Sequence, residues 1–424
     1  MSEITGPDVI IVGAGLAGLA CACELTAHGL SCQMLEASDA VGGRARTDTV
    51  DGFLLDRGFQ VLLTAYPEAQ RLLDYPALHL SSFAPGALVR FDGRFHTVAD
   101  PWRRPTAAFG MLVSPIGTLR DKLTIARLRH DVTRSSLAKL AQSPEASTID
   151  FLRSYGFSPT MIERFFRPFF GGIFLESELQ TSSRMFEFVF RMFSLGSAAL
   201  PSTGMGAIAQ QLLTRLPAGT VRFGHRVAKV QPGAVTLASG EEIKASAVVV
   251  ATDHLSAAQL LPGMPHLGSR GTTCFYFAAQ KSPISEPMLV LNGDGRGPIN
   301  NLCVPSVIAP SYAASGAHLI SVTAVGQSAA AQPPDELLAA VISQLTEWFG
   351  GAVLGWQHLR TDWIPDALPE QTPASGGSSS KETLVQPGLY VCGDHRDTAS
   401  INGALSSGRS VAESIAKSLA GKAT

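Results

Sequence analysis

Hydrophobic and polar positions change period along this chain, and the changes mark its elements. Val9–Val12 is an unbroken apolar run of the kind a fully buried strand carries. The glycine-rich turn Gly13-Ala14-Gly15-Leu16-Ala17-Gly18 follows, then a helical pattern through about His28, with Gly29 where a C-cap glycine belongs. A second apolar run, Cys32–Leu35, ends in Glu36. Strand, turn, helix and strand in this order predict a βαβ unit and an α/β fold.

Beyond it, Pro67–Asp74 reads as a short helix, and ALVRFDGRFH (87–96) as a hairpin turning at Asp92-Gly93. Residues 101–115 form a proline-punctuated loop. Thr118–Ala141 reads as helix, with Leu119, Leu123, Ala126, Leu128, Val132 and Leu137 roughly periodic. Ser147–Tyr155 is a helix opened by a hydroxyl residue. The most aromatic stretch comes next: Phe165, Phe166, Phe169, Phe170 and Phe174 surround Pro168 and Gly171-Gly172. RMFEFVFRMF (184–193) is apolar on every face except a stripe of Arg184, Glu187 and Arg191, the last two spaced for an i,i+4 pair. Core packing is one reading and covers most of these phenylalanines; lining of an apolar substrate channel by some of them is a second, and a surface-bound membrane helix, disfavoured by the few basic residues, is a third. Alternating strand and helix texture resumes with Ala207–Leu216, Thr220–Phe223, Arg226–Val230, a hairpin around Ser239-Gly240, and AVVVAT (247–252). Thr272–Gln280, Leu289–Leu291 and His318–Ala324 read as strands, and Pro334–Phe349 as a helix. QTPASGGSSSKE (371–382) reads as a mobile loop. A strand ending in Gly393-Asp394 closes the chain together with the stretch Thr398–Ala416, in which a helix starts after Asn402-Gly403-Ala404.

The opening unit carries chemistry. In a GxGxxG turn between strand and helix, Gly13 permits the tight turn. Gly15 lets backbone approach a pyrophosphate, and Gly18 lets helix and strand pack closely. The helix N-terminus offers free N–H donors to phosphate. Glu36, at the tip of the second strand, is placed to accept from a ribose diol and would repel a 2′-phosphate, which argues against NADP. The alternative is a plain glycine-rich turn. The fingerprint by itself admits NAD or FAD.

Composition narrows the class. At 424 residues the chain has room for two domains, and 45% hydrophobic against 16% charged residues describes a compact, ordered chain. A net charge of −2 gives no reason to expect nucleic acid. Neither a secretory signal pattern nor an uninterrupted bilayer-length apolar run is evident, so a cytoplasmic location is expected, with peripheral membrane contact left open. The six cysteines (21, 23, 32, 274, 303 and 392) include no CxxC pair and read as buried small apolar side chains, with no metal site. HExxH and GxSxG are absent, which removes the common hydrolase chemistries.

From Val9 to Thr47 the run of fingerprint, Glu36 and Gly42-Gly43-Arg44 resembles the FAD-binding entry of the flavin-containing amine oxidase superfamily, which includes amine oxidases, protoporphyrinogen oxidase and phytoene desaturase-like enzymes. The GMG-helix–strand–hairpin–AVVVAT order of Ser202–Thr252 and the C-terminal Gly393-Asp394 resemble the family's later FAD segments. The resemblance implies a Rossmann-type FAD-binding domain of GR2-like, p-hydroxybenzoate hydroxylase-type topology with an inserted α+β substrate domain. The boundaries it suggests are 1–63, 202–265 and 384–424 for the first, and 64–201 with 266–383 for the second. It places at FAD Gly13, Gly15, Leu16, Ala17, Gly18, Glu36, Ala37, Gly42, Gly43 and Arg44. It adds Gly58, Phe59 and Gln60, Val227, and Gly393, Asp394, Asn402, Gly403 and Ala404.

The expected activity is transfer of a hydride from an apolar organic substrate to flavin N5, as in a desaturase or dehydrogenase, with O2 or a quinone as electron acceptor. An amine or amino-acid oxidase is one alternative, and a flavin-dependent isomerase or non-redox flavoprotein another. Classical amine oxidases of the family place an aromatic just before the C-terminal Gly-Ala pair, whereas Thr398–Ala404 holds none. Lys281, His395 and Arg396 are the only candidates for a catalytic role.

Overall fold

The computed structural model describes residues 6–104, 114–314, 316–326, 334–377 and 381–421. Two sheets organise it. A six-stranded sheet runs in the spatial order Val221–Arg222, Cys32–Leu35, Val9–Val12, Ala247–Val250, Leu389–Val391, Leu384–Gln386. All neighbours are parallel except the last pair. Burial on both faces explains its unbroken apolar strands: Val9–Ile11 and Val248–Val250 are wholly buried. The sheet thus takes strands from three distant stretches of chain and aligns their C-terminal ends. Gly13 donates to the Leu35 carbonyl and Ala251 to that of Val12, so the loops leaving these strands start side by side.

The expected βαβ unit is present. Leu16–Ala27 is helical, capped by His28, and Gly29 turns away at φ 75°. The long C-terminal helix, Ile401–Ala420, lies against it at Gly408, where a Cβ would stand 2.2 Å from the Ala17 carbonyl oxygen.

The second sheet has seven strands, ordered Gln357–Pro369, Ser269–Ala279, His318–Val325, Ile299–Cys303, Leu289–Asn292, Gly86–Phe91, Arg94–Ala99. Its outermost hairpin turns at Asp92-Gly93 as predicted, both at positive φ. Phe275, Ile320, Val322 and Leu302 on one face pack under Leu337, Val341 and Leu345 of the Pro334–Phe349 helix. Asp335–Gly355 is long and apolar enough to cross a membrane by composition, a test that sequence inspection for an uninterrupted run had not met. A third of that apolar window (33%) is buried, with Leu337, Val341 and Leu345 in this core. The opposite face of the sheet turns toward the aromatic helices Arg167–Phe174 and Ser183–Leu195.

Several expectations change. Thr118–Ala141 is two helices, Leu119–Arg134 and Leu137–Ala141, because Ser135 is extended and Ser136 caps a new start. Leu119 and Leu123 are exposed, so they do not extend the buried face of Leu128 and Val132. Glu187 and Arg191 do not form the expected pair. Glu187 accepts from the Ser143 hydroxyl at 2.8 Å, and Arg191 donates to the Val132 and Thr133 carbonyls, tying helices together. In the loop read as mobile, Gln371 is buried: its amide donates to the Asp397 carbonyl and accepts from Ala399 N–H. Residues 105–113 and 378–380 of the two expected loops lie outside the described residues.

Candidate functional site

A cavity of about 1200 Å³ runs along the ends of the parallel strands and under the aromatic helices. It exceeds the ~300–1,000 Å³ of ordinary small-molecule sites. One part of its wall is glycine, and each glycine has a particular reason. A Cβ on Gly13 would lie 3.0 Å from the Ala251 oxygen, at φ 100°. On Gly18 it would lie 2.3 Å from the Gly13 oxygen, so Gly18 serves helix–strand contact and does not line the cavity. On Gly15 it would meet nothing within 4 Å: that face opens into the cavity. Gly15 is also the N-cap of the Leu16–Ala27 helix, with no side chain capping it and no acid in the first turn. The first N–H groups of that helix are therefore available to an anion. Gly42 and Gly43 close the other side, Gly42 donating to the Ala14 carbonyl at 2.9 Å.

Glu36 reaches the same wall. It accepts from Ala14 N–H at 2.8 Å and from the Ser38 N–H and hydroxyl, which fixes the carboxylate beside the glycine turn. Leu16, Ala17, Ala37 and Val227 line the cavity here. The neighbouring His225, Arg226, Thr252, Asp253 and Ser256 do so as well, though sequence reasoning did not select them. Their common signal was position at the ends of adjacent parallel strands or in the loop beside Glu36.

Farther along, Arg44 and Asp394, 350 residues apart, meet at 2.7 Å, and Arg44 also donates to the Ala367 carbonyl. Burial opposes ionisation of Asp394, but the Arg44 guanidinium outweighs it and holds the carboxyl below the usual range. Gly58, Phe59 and Gln60 line this stretch. Gly58 sits at φ 82°, and the Gln60 amide donates to the Arg44 carbonyl at 2.9 Å. Gly393 and Ala404 line it too. Asn402 and Gly403 do not. Asn402 turns away and accepts from Glu68 N–H at 3.0 Å, fastening the Pro67–Leu72 helix. At Gly403 a Cβ would stand 2.0 Å from the Thr398 oxygen, so the residue serves the tight turn into the C-terminal helix.

None of the three catalytic candidates lines the cavity. Lys281 is exposed in a bend after the Ser269–Ala279 strand. Arg396 points to the Glu382 carbonyl. His395 is wholly buried behind Asp394; both ring nitrogens lack a hydrogen-bond partner among the described residues, and burial drives its pKa down to about 4, so it is neutral. His254, with its ring centroid 6.4 Å away, is also pushed down by burial.

The rest of the wall comes from Val61, Leu63 and Tyr66, the aromatic helices and the large sheet. Phe169, Ile173, Met185, Val189 and Phe193 face the cavity, while Phe166, Phe170 and Phe186 pack behind them in the core. The phenylalanine-rich stretch is thus divided between the two roles.

This geometry sits beside the comparisons with known proteins. The model of the family described as flavin containing amine oxidoreductase matches residues 16–416. The chain belongs to that family. It is an FAD-dependent oxidoreductase. It is 29% identical over 174 residues to protoporphyrinogen oxidase 2 of Arabidopsis thaliana, covering 41% of this chain and 33% of that protein. To phytoene dehydrogenase of Streptomyces griseus it is 27% identical over 301 residues, covering 63% and 58%. To putrescine oxidase of Kocuria rosea it is 46% identical over 67 residues, 16% and 14% of the two chains. The matches thus span between 14% and 58% of these relatives' own length. Among solved structures, an oxidoreductase from Methanosarcina mazei superposes with a TM-score of 0.74 at 18% identity, covering 96% of this chain and 99% of that one. Cyclohexylamine oxidase from Brevibacterium oxydans gives 0.73 at 17%, covering 98% and 99%.

The residues present fit FAD. The open face of Gly15, the uncapped helix start and the fixed Glu36 carboxylate suit an adenosine diphosphate. The same cavity of about 1200 Å³ also takes in Arg44, Asp394 and Gly58–Gln60, a volume with room for a flavin. The six cysteines are unpaired, five of them buried, and the described residues hold no cluster able to bind a metal.

Proposed function

We propose that this family member dehydrogenates an apolar, uncharged organic substrate, in the manner of a desaturase. Bound FAD supplies the hydride acceptor. Gly15, Glu36 and Asp394 would hold its nucleotide and linker, and Gly58–Gln60 and Ala404 would contribute the wall for the rest of it. Tyr66, the aromatic helices and the large sheet hold the substrate and exclude water. The proposal includes the division into an FAD-binding part (1–63, 202–265, 384–424) of GR2-like topology and an inserted substrate part (64–201, 266–383).

One observation carries the reading. The charged residues lining the cavity are Glu36, Arg44, Arg226, Asp253 and Asp394, with His225, at the parallel-strand ends or in the loops beside them, and Arg57, which follows the antiparallel Phe53–Asp56 strand beside Gly58 and is paired with Asp48. The wall contributed by residues 61–66, the aromatic helices and the large sheet carries no charge among the described residues. An ammonium substrate wants a carboxylate or an aromatic cage, and a porphyrinogen wants cations for its carboxylates. That wall presents aromatic faces at Tyr66, Phe169 and Phe193 but, among the described residues, no carboxylate for an ammonium and no cation for a carboxylate.

Anaerobic reduction of the bound flavin tests this directly. Polyenes are expected to bleach its absorbance, and primary amines and porphyrinogens are not. Bleaching by an amine or a porphyrinogen, with polyenes inert, overturns the proposal. Rearrangement of a substrate without any bleaching points instead to an isomerase.

A further inference from the structure

Among the polar side chains of the uncharged wall, Asn301 keeps amide donors that no described residue takes up. Asn301 is 2% exposed, and what it exposes is cavity wall. It lies on the Ile299–Cys303 strand in register with Thr323 of the neighbouring strand, which lines the cavity beside it. Its Oδ1 accepts from Asn300 Nδ2 at 2.8 Å, and Asn300 Nδ2 also donates to the Pro168 carbonyl at 2.9 Å. This settles the amide's orientation, because turning it over would set two NH2 groups against each other. Asn301 Nδ2 is left with two donors and no partner among the described residues.

The arrangement is built. A Cβ on Gly172 of the aromatic helix would lie 2.8 Å from both Asn300 Nδ2 and Asn301 Oδ1. Glycine at 172 therefore makes the room in which the two amides lock. The Thr323 hydroxyl beside it stands 3.6 Å from the Cys274 sulfur.

A buried donor in an apolar pocket discriminates among ligands. A hydrocarbon leaves it unpaired, an ammonium meets donor with donor, and a carboxylate brings an uncompensated charge into an uncharged wall. Only a neutral oxygen acceptor satisfies it at no such cost. We propose that Asn301 is the specificity-determining anchor of the substrate cavity and that the substrate is an apolar molecule bearing a neutral oxygen, such as a carbonyl. This rests on the apolar-substrate reading above.

The test is ligand binding to the oxidised, FAD-loaded enzyme, read as perturbation of the flavin absorbance, with 2-tridecanone, tridecane and tridecylamine as probes. The wild type is expected to bind the ketone about tenfold tighter than the alkane. Asn301→Leu is expected to erase that preference while keeping the alkane. Asn301→Asp retains the bond from Asn300 but offers an acceptor to the cavity, so the ketone weakens about tenfold and the amine gains. Its unchanged FAD content shows that the fold survives, and it decides the matter if the leucine variant does not fold. Equal binding of ketone and alkane by the wild type means that a water satisfies the amide, and overturns the anchor while leaving the apolar pocket standing. Failure of both ketone and alkane to bind overturns the apolar pocket and the anchor together.

Discussion

Gly15 and Gly18 are three residues apart and are glycine for opposite reasons. Alanine at 18 presses a methyl against the Gly13 carbonyl, which neither the helix nor the strand can relieve. We expect Gly18→Ala to cost about 1–3 kcal/mol with or without FAD. Alanine at 15 projects into empty cavity. Gly15→Ala is expected to leave the melting temperature of the FAD-free chain unchanged while weakening FAD about tenfold or more, since the methyl occupies space the phosphates need. Thermal melts with and without FAD separate the two. Arg44 and Asp394 make a second residue-scale case. Asp394 is depressed in the fold, so its contribution is present above the ordinary carboxylate pKa and is lost as pH falls through the depressed value. Arg44→Met leaves that buried carboxylate without its counter-charge. Its pKa then rises, and the sign reverses, with stability falling as pH rises. Arg44 keeps 39% of its side chain accessible, so we expect a loss near the low end for a broken buried pair, about 2–3 kcal/mol at pH 7. Urea titrations from pH 4 to 8 should show the change in slope.

At the scale of elements, Asp56 is a junction. It accepts from the Thr47 hydroxyl, from Met205 N–H at the start of the Gly206–Leu213 helix and from the Tyr312 hydroxyl. Burial nonetheless raises its pKa to about 6. An acid raised in the fold favours the folded state while protonated, so this contribution is full below about pH 4 and is lost as pH rises through about 6. The swing is about 3 kcal/mol. Asp56→Asn retains an oxygen for Thr47 and Met205 and is expected to flatten that loss, read as urea midpoints at pH 4, 5, 6 and 7. Legibility in the sequence follows the same scale. The βαβ entry and the Asp92-Gly93 hairpin were readable because their signals are local: a strand's apolar run, a glycine's positive φ. The Leu119–Leu123 face was misread because helical period says where a face lies and only tertiary packing says what covers it. Asn402 was assigned to the cofactor by its neighbours in sequence, yet its amide fastens another helix. Asn301 and Thr323 escaped notice because strand register, set by partners 22 residues apart, brings them together.

For the whole molecule, the cavity is where three distant stretches of chain become one surface: the Gly13–Arg44 entry, the His225–Leu260 segment and the Ile364–Ala404 segment all line it. A ligand that touches all three binds only the folded chain and stabilises it by mass action, about 2.7 kcal/mol at a hundredfold excess over Kd. Spread over a chain of 424 residues, that is about 3 °C in melting temperature. ADP should reach the Gly15–Glu36 end, leaving Arg44–Asp394, Gly58–Gln60 and the C-terminal helix start without a partner. At equal concentration it is therefore expected to raise the melting temperature of the FAD-free enzyme by less than FAD does, with a weaker Kd. Glu36→Gln should reduce both responses, because both ligands present the ribose diol. Gln60→Ala should reduce the FAD response alone, because only FAD extends to that wall. An ADP response equal to that of FAD, or a Gln60→Ala effect on both, would mean that the far half of the cavity contributes nothing to holding the cofactor.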